Sequence, residues 1–149
     1  MELNTIKCKQ IAITNKRKSC SFIYNLRGKA VPQTSSHDYL GVTITHDLRW
    51  NSHCSNIANK SNKVLGIIRR TLTPCSKPVK KRAYETLVRP KVEYASEAWI
   101  PPTDQDVNKV EQVQKNAARF VCNNYNCCTS SSDLVSTLDW DTLGIRGLA

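Results

Sequence analysis

The sequence predicts an α+β protein, a small antiparallel β-meander followed by an α-helical bundle. Three observations carry this. Up to about residue 45, apolar and β-branched residues alternate in short runs. From residue 52 they recur instead at three- and four-residue steps. One polar turn, His46 to Ser52, separates the two regimes, and no strand pattern returns after it.

Taken in order, residues 1–8 are short and polar and read as a beginning cut from something longer. Residues 9–14 alternate around Ile11 and Ile13, and residues 21–24 around Phe22 and Tyr24, with the charged run 15–19 as a hairpin connection. A second reversal is expected at 25–28, where Gly28 can take positive φ, and Pro32 restricts the brief strand Ala30-Val31 to an edge. The most strand-like run is 38–44, with Gly41 at its middle, which reads as one strand with a bulge or a close backbone approach. Asn51 or Ser52 then offers an N-cap for a helix over 52–72, with Cys54, Ile57, Ala58, Ser61, Val64, Leu65, Ile68 and Leu72 on one face.

Pro74 and Pro78 end that helix. A basic amphipathic helix is expected over 80–99, because Tyr84, Leu87, Val88, Val92, Ala95 and Trp99 keep helical phase across Pro90. Pro90 has no N–H for the carbonyl of Thr86, so the helix should bend there, with Lys80, Lys81, Arg82, Arg89 and Lys91 on its polar side. Thr103 to Asp106 resembles a capping box opening a helix through Val110, Val113, Ala117 and Phe120, closed by Asn123-Asn124. Ser130 to Asp133 caps a short helix through Leu134, Val135 and Leu138, and Trp140, Leu143 and Ile145 begin a last amphipathic turn that the C-terminus truncates.

With 149 residues, 40% of them hydrophobic, the chain is long enough for a real core. The net charge of +10 is unevenly spread: residues 1–91 hold 18 Lys+Arg against 4 Asp+Glu, and 92–149 hold 4 against 8. A basic surface confined to three-fifths of the chain favours a nucleic-acid partner, since each cation that meets a phosphate releases condensed counterions. The bland reading is a solvated basic face. No membrane-length apolar run and no signal-peptide pattern is present, so an intracellular place, cytoplasm or nucleus, is expected. Seven cysteines without a framework spacing read as reduced thiols. A zinc site would need His53, Cys54 and the Cys127-Cys128 pair to meet from distant segments.

No P-loop, nucleophile-elbow or H-E-x-x-H pattern occurs. Asp139 and Asp141 flank Trp140 but read as helix caps rather than metal ligands.

Read together, eight short words in fixed order resemble a family. They are Asn4-Thr-Ile-Lys-Cys8; Tyr39-Leu-Gly-Val42; Asp47-Leu-Arg-Trp50 with His53; Leu65-Gly66 with Arg69-Arg70; Ala83-Tyr84 with Leu87-Val-Arg-Pro90; Glu93-Tyr-Ala-Ser96 with Trp99 and Pro101; Val113-Gln114 with Ala117-Ala-Arg-Phe120; and Leu138-Asp-Trp140 with Leu143 and Arg146. The succession looks like the reverse transcriptase of jockey- or CR1-like non-LTR retrotransposons, and it covers almost the whole chain.

The resemblance implies a partial palm-end β subdomain over 1–50 and a helical thumb-like domain over 51–149. Asn4 and Lys7 resemble the family's N-x-x-K element near the incoming nucleotide, where Lys7 would neutralise phosphate charge. Tyr39, Leu40, Gly41 and Val42 are similar to the hairpin that grips the primer end, with Gly41 letting the backbone approach the sugar–phosphate. The thumb helices would place Lys60, Lys63, Arg70, Lys80, Lys81, Arg82 and Arg89 near the phosphates of an RNA/DNA template–primer duplex, and Trp50, Trp99 and Trp140 in the thumb core.

The family's aromatic-x-Asp-Asp turn is missing from this sequence. Two Mg²⁺ ions need those carboxylates, so the chain is expected to carry no cofactor itself and not to polymerise DNA alone; Mg²⁺ and the upstream polymerase domains belong to the full-length enzyme. Two other readings stand beside a polymerase fragment: a non-catalytic helical protein-interaction module, and a non-functional remnant whose first strands lack their partners.

Overall fold

The fold is described from a computed structural model, for residues 4–5, 7–14, 22–101, 103–126, 128–141 and 143. The chain divides into two compact units, Met1–His53 and Cys54–Ala149.

The first unit is built from two hairpins. Strands β1 (Asn25–Leu26) and β2 (Lys29–Ala30) pair antiparallel, joined by Arg27 and Gly28 at φ 51° and 75°. Strands β3 (Ser36–Tyr39) and β4 (Val42–Thr45) pair with Tyr39 opposite Val42 and Ser36 opposite Thr45. Their two-residue link, Leu40-Gly41, has φ 48° and 83°. Positive φ at both central residues is the turn whose twist matches that of its strands. The single bulged strand expected over 38–44 is therefore corrected to a hairpin with Gly41 at its tip. Likewise the strand expected over 9–14 is reduced to one parallel bridge, Gln10 to Gln33, and there are two small sheets rather than one meander among the described residues. The connection proposed at 15–19 lies outside the described residues.

Helix α1 (Asn51–Leu72) begins within a residue of the expected cap. Its inward face buries Cys54, Ile57, Ala58, Ser61, Leu65 and Ile68 as the spacing required. Arg69 and Arg70 in its last turn complement the negative end of the helix dipole. Helix α2 (Lys77–Leu87) starts with Pro78 in its first turn, where the missing N–H costs nothing. The chain then steps through Val88 (φ −103°, ψ −53°) into the five-residue α3 (Arg89–Glu93).

The long kinked helix expected to run to Trp99 thus stops at Glu93: Tyr94 turns to ψ 124° and Ala95 to φ 53°. The loop that follows returns Trp99 to the core, where its indole N–H donates to the Tyr94 carbonyl at 3.1 Å. Of the expected apolar stripe Tyr84, Val88, Val92 and Trp99 are buried, whereas Leu87 is 52% exposed and Ala95 half-buried, so the stripe holds only in part and the helix is not continuous.

Helix α4 (Asp104–Cys122) is the central element of the second unit, burying Val110, Val113, Ala117, Ala118, Phe120 and Val121. Thr103 caps it: its hydroxyl accepts from the Asp106 N–H at 3.3 Å and donates to the Asp106 carboxylate at 2.8 Å. Asn123 closes it in the left-handed conformation, and the Asn124 N–H reaches back to the Arg119 carbonyl at 3.1 Å. Helix α5 (Ser131–Thr137) packs on α4, and beyond it Trp140 lies on Tyr84, ring centroids 4.4 Å apart, with its N–H on Glu85. Of the last turn expected through Trp140, Leu143 and Ile145, residues 142 and 144–149 lie outside the described residues. Among the described residues no helix is long and apolar enough to cross a membrane.

Candidate nucleic-acid interface

The seven cations expected at phosphates divide by their surroundings. On α1, Lys60, Lys63 and Arg70 are exposed. At 3.6 residues per turn they fall, with Ile67, inside an arc of about 80° opposite the buried face, and they span roughly 15 Å of helix. One helix side holds the core while the other offers three cations at fixed spacing. Ile67, 53% exposed, lies among them.

On α2 the arrangement differs. Lys80 is buried at 1% exposure, so its expected place at a phosphate is corrected. Its Nζ donates to Asn123 Oδ1 at 2.9 Å and sits 5.1 Å from the centroid of the Phe120 ring. The signal was in the sequence: Lys80, Tyr84 and Val88 repeat at four-residue steps, which puts the lysine on the apolar face. Lys81 is half-exposed, donates to the Leu138 carbonyl at 2.8 Å and lies 4.0 Å from Glu85. Arg89 is largely buried and pairs with Glu93 at 2.8 Å. Only Arg82 of the α2 cluster named from sequence is fully on the surface without an ion pair among the described residues.

In the first unit, the hairpin tip presents Tyr39 at 59% and Leu40 at 73% exposure. The strands behind it are held by Thr43: its hydroxyl donates to Asp38 at 2.6 Å and its N–H to His53 Nδ1 at 3.1 Å. Below them, Thr45 Oγ1 lies 2.7 Å from an Asp47 oxygen, and that contact with the Arg49 N–H holds the Asp47 carboxyl below its usual range. Asn4 and Lys7 sit together in one exposed turn, the Lys7 N–H on the Asn4 carbonyl at 3.2 Å. Trp99 and Trp140 are core residues, as expected. Trp50 is not: it is half-buried and meets His53 edge-on, centroids 6.1 Å apart.

Among the described residues no three His, Cys, Asp or Glu side chains converge as metal ligands. Cys8, Cys54, Cys75, Cys122 and Cys128 are free thiols. Burial pushes the Cys54 thiol up to about 11, which keeps it protonated and inert.

Comparison with known proteins finds two polymerases similar to most of the chain. The chain is 21% identical over 124 residues to the RNA-directed DNA polymerase from the mobile element jockey of Drosophila melanogaster, and 23% identical over 122 residues to the probable RNA-directed DNA polymerase from transposon X-element of the same organism. The alignments cover 81% and 80% of this chain. The chain is a homologue of these non-LTR retrotransposon polymerases. It spans 13% of the length of each. No family model and no solved structure matches it. The similarity to the jockey and X-element polymerases extends over most of the chain, so it spans more than one short motif.

Proposed function

We propose that this chain is the palm-end and thumb part of a non-LTR retrotransposon reverse transcriptase, and that its work is to hold the template–primer duplex rather than to catalyse. The observation that carries the reading is the homology to two RNA-directed DNA polymerases over four-fifths of the chain. The exposed cation face of α1 supports it physically. Lys60, Lys63, Arg70 and Arg82 contact phosphates, which positions a duplex without reading its sequence. The hairpin tip Tyr39-Leu40-Gly41-Val42 grips the primer end, and Asn4 and Lys7 lie toward the incoming nucleotide. Catalysis and its Mg²⁺ ions reside in the upstream polymerase domains, the natural partners of this chain inside the cell.

The test is fluorescence anisotropy of the chain with a labelled RNA–DNA hybrid as a function of salt. Affinity is expected to fall steeply with salt, and replacing Lys60, Lys63 and Arg70 by Ala is expected to weaken it. Absence of binding at low salt would contradict the proposal and leave a protein-interaction module or an inactive remnant.

A further inference from the structure

A second cationic feature lies off the α1 phosphate face. Arg69 is one residue before Arg70 yet points about 100° further round the helix. Its guanidinium stands 5.4 Å from the centroid of the Tyr125 ring. Tyr125 is 52% exposed, in the loop after α4.

That loop is held in shape by its own hydrogen bonds. The Asn126 N–H donates to Asn124 Oδ1 at 3.1 Å, Asn124 Nδ2 to Thr129 Oγ1 at 3.2 Å, and the Thr129 N–H to the Asn126 carbonyl at 3.3 Å. Arg119 Nη1 reaches the Asn126 carbonyl at 3.4 Å, so a second guanidinium borders the same loop. Tyr125, Arg69 and Arg119 are not among the buried residues of the core.

An exposed aromatic ring on a braced loop, with one guanidinium over its face and a second held on the loop backbone, suits a nucleobase. The ring supplies a stacking face, and the guanidinium groups supply cation–π contact and phosphate donors. A base inside a duplex is already stacked on both sides, so such a platform serves an unpaired one.

We propose that Tyr125, with Arg69 and Arg119, is a stacking platform for an unpaired nucleotide of a single strand, separate from the duplex-holding face of α1. The proposal rests on the nucleic-acid reading above and assigns the ligand class for a second site.

The experiment uses the whole chain and two probes: a blunt RNA–DNA hybrid, and the same hybrid with a short single-stranded extension carrying 2-aminopurine. Anisotropy gives affinity, and 2-aminopurine quenching reports stacking directly. For the wild-type chain, tighter binding of the extended probe and quenching of its fluorophore are expected. Tyr125→Ala should abolish the quenching and weaken the extended probe about tenfold, leaving the blunt hybrid within twofold, while Tyr125→Phe should restore both signals. Unchanged quenching in Tyr125→Ala, with binding intact, would overturn the platform and leave the α1 reading standing. Failure of the wild-type chain to bind either probe would overturn both. A merely structural tie between Arg69 and Tyr125 would show as a lower melting temperature and equal weakening of both probes in Tyr125→Ala, which also overturns the platform.

Discussion

Lys80 shows how much a single residue's surroundings decide. A lysine beside Lys81 and Arg82 suggests a solvated basic patch, yet its ammonium is enclosed by Asn123 and Phe120 and ties α2 to the end of α4. Lys80→Ala would leave the Asn123 carbonyl oxygen without its donor and open a cavity, so chemical denaturation should show a loss of about 1–3 kcal/mol. Hybrid binding by the folded variant should stay within twofold. Asp106 makes the complementary case for acids. It is buried at the start of α4, and the hydrogen bond from Lys109 at 2.9 Å, with a further one from Thr103, holds its carboxyl below 3.8 against the opposing effect of burial. A depressed folded-state value means that its stabilisation is complete above 3.8 and is lost as pH falls through the lower folded value. Urea unfolding should therefore find Asp106→Asn destabilised at pH 7, with the gap to the wild-type chain narrowing as pH falls below 3.8.

Elements were legible where one local signal dominated. The cap at Thr103, the stop at Asn123, the break at Pro74 and Pro78 and the inward face of α1 all follow from side-chain chemistry within a few residues. Two elements were misread where local signals competed. Around Gly41, β-branched Val42, Thr43 and Ile44 argue for continuity, whereas the backbone reverses; Leu40 at φ 48° hides the turn, because a leucine there is unusual. After Pro90, apolar spacing is equally served by a helix and by a loop that brings Trp99 back to the core. The hairpin yields a direct expectation. Gly41→Ala, at φ 83°, should cost about 1 kcal/mol, while Leu40→Gly should be neutral or stabilising by up to about 1 kcal/mol. Hydrogen exchange of the β3 and β4 amides in the two variants measures both.

At the scale of the molecule the two units differ in how they are held. Every buried hydrophobic side chain among the described residues belongs to the helical unit, beginning with Cys54. The first unit buries Thr43 and His53 and leaves Phe22, Ile23, Tyr24, Tyr39 and Leu40 exposed, and two-stranded sheets have little stability of their own. Native-state hydrogen exchange should accordingly find the β3–β4 amides opening at far lower free energy than those of α4. The sequence carried the charge asymmetry and the family resemblance, but not which cations reach solvent, because that depends on the neighbours each helix meets. Three of the seven phosphate candidates, Lys80, Lys81 and Arg89, are engaged with α4, the α5 end or Glu93 instead.

The central claim is that the outward side of α1, joined by Arg82 but not by the buried Lys80, holds nucleic-acid phosphates. The most direct measurement is the slope of log affinity against log salt for an RNA–DNA hybrid. It compares the wild-type chain, the Lys60→Ala, Lys63→Ala, Arg70→Ala triple variant and the single Lys80→Met variant. The account expects the triple variant to flatten the slope by about 2 to 3, near 0.9 per lost contact, and Lys80→Met to leave it unchanged. Equal slopes for the wild-type chain and the triple variant, or a flattened slope in Lys80→Met, would contradict it.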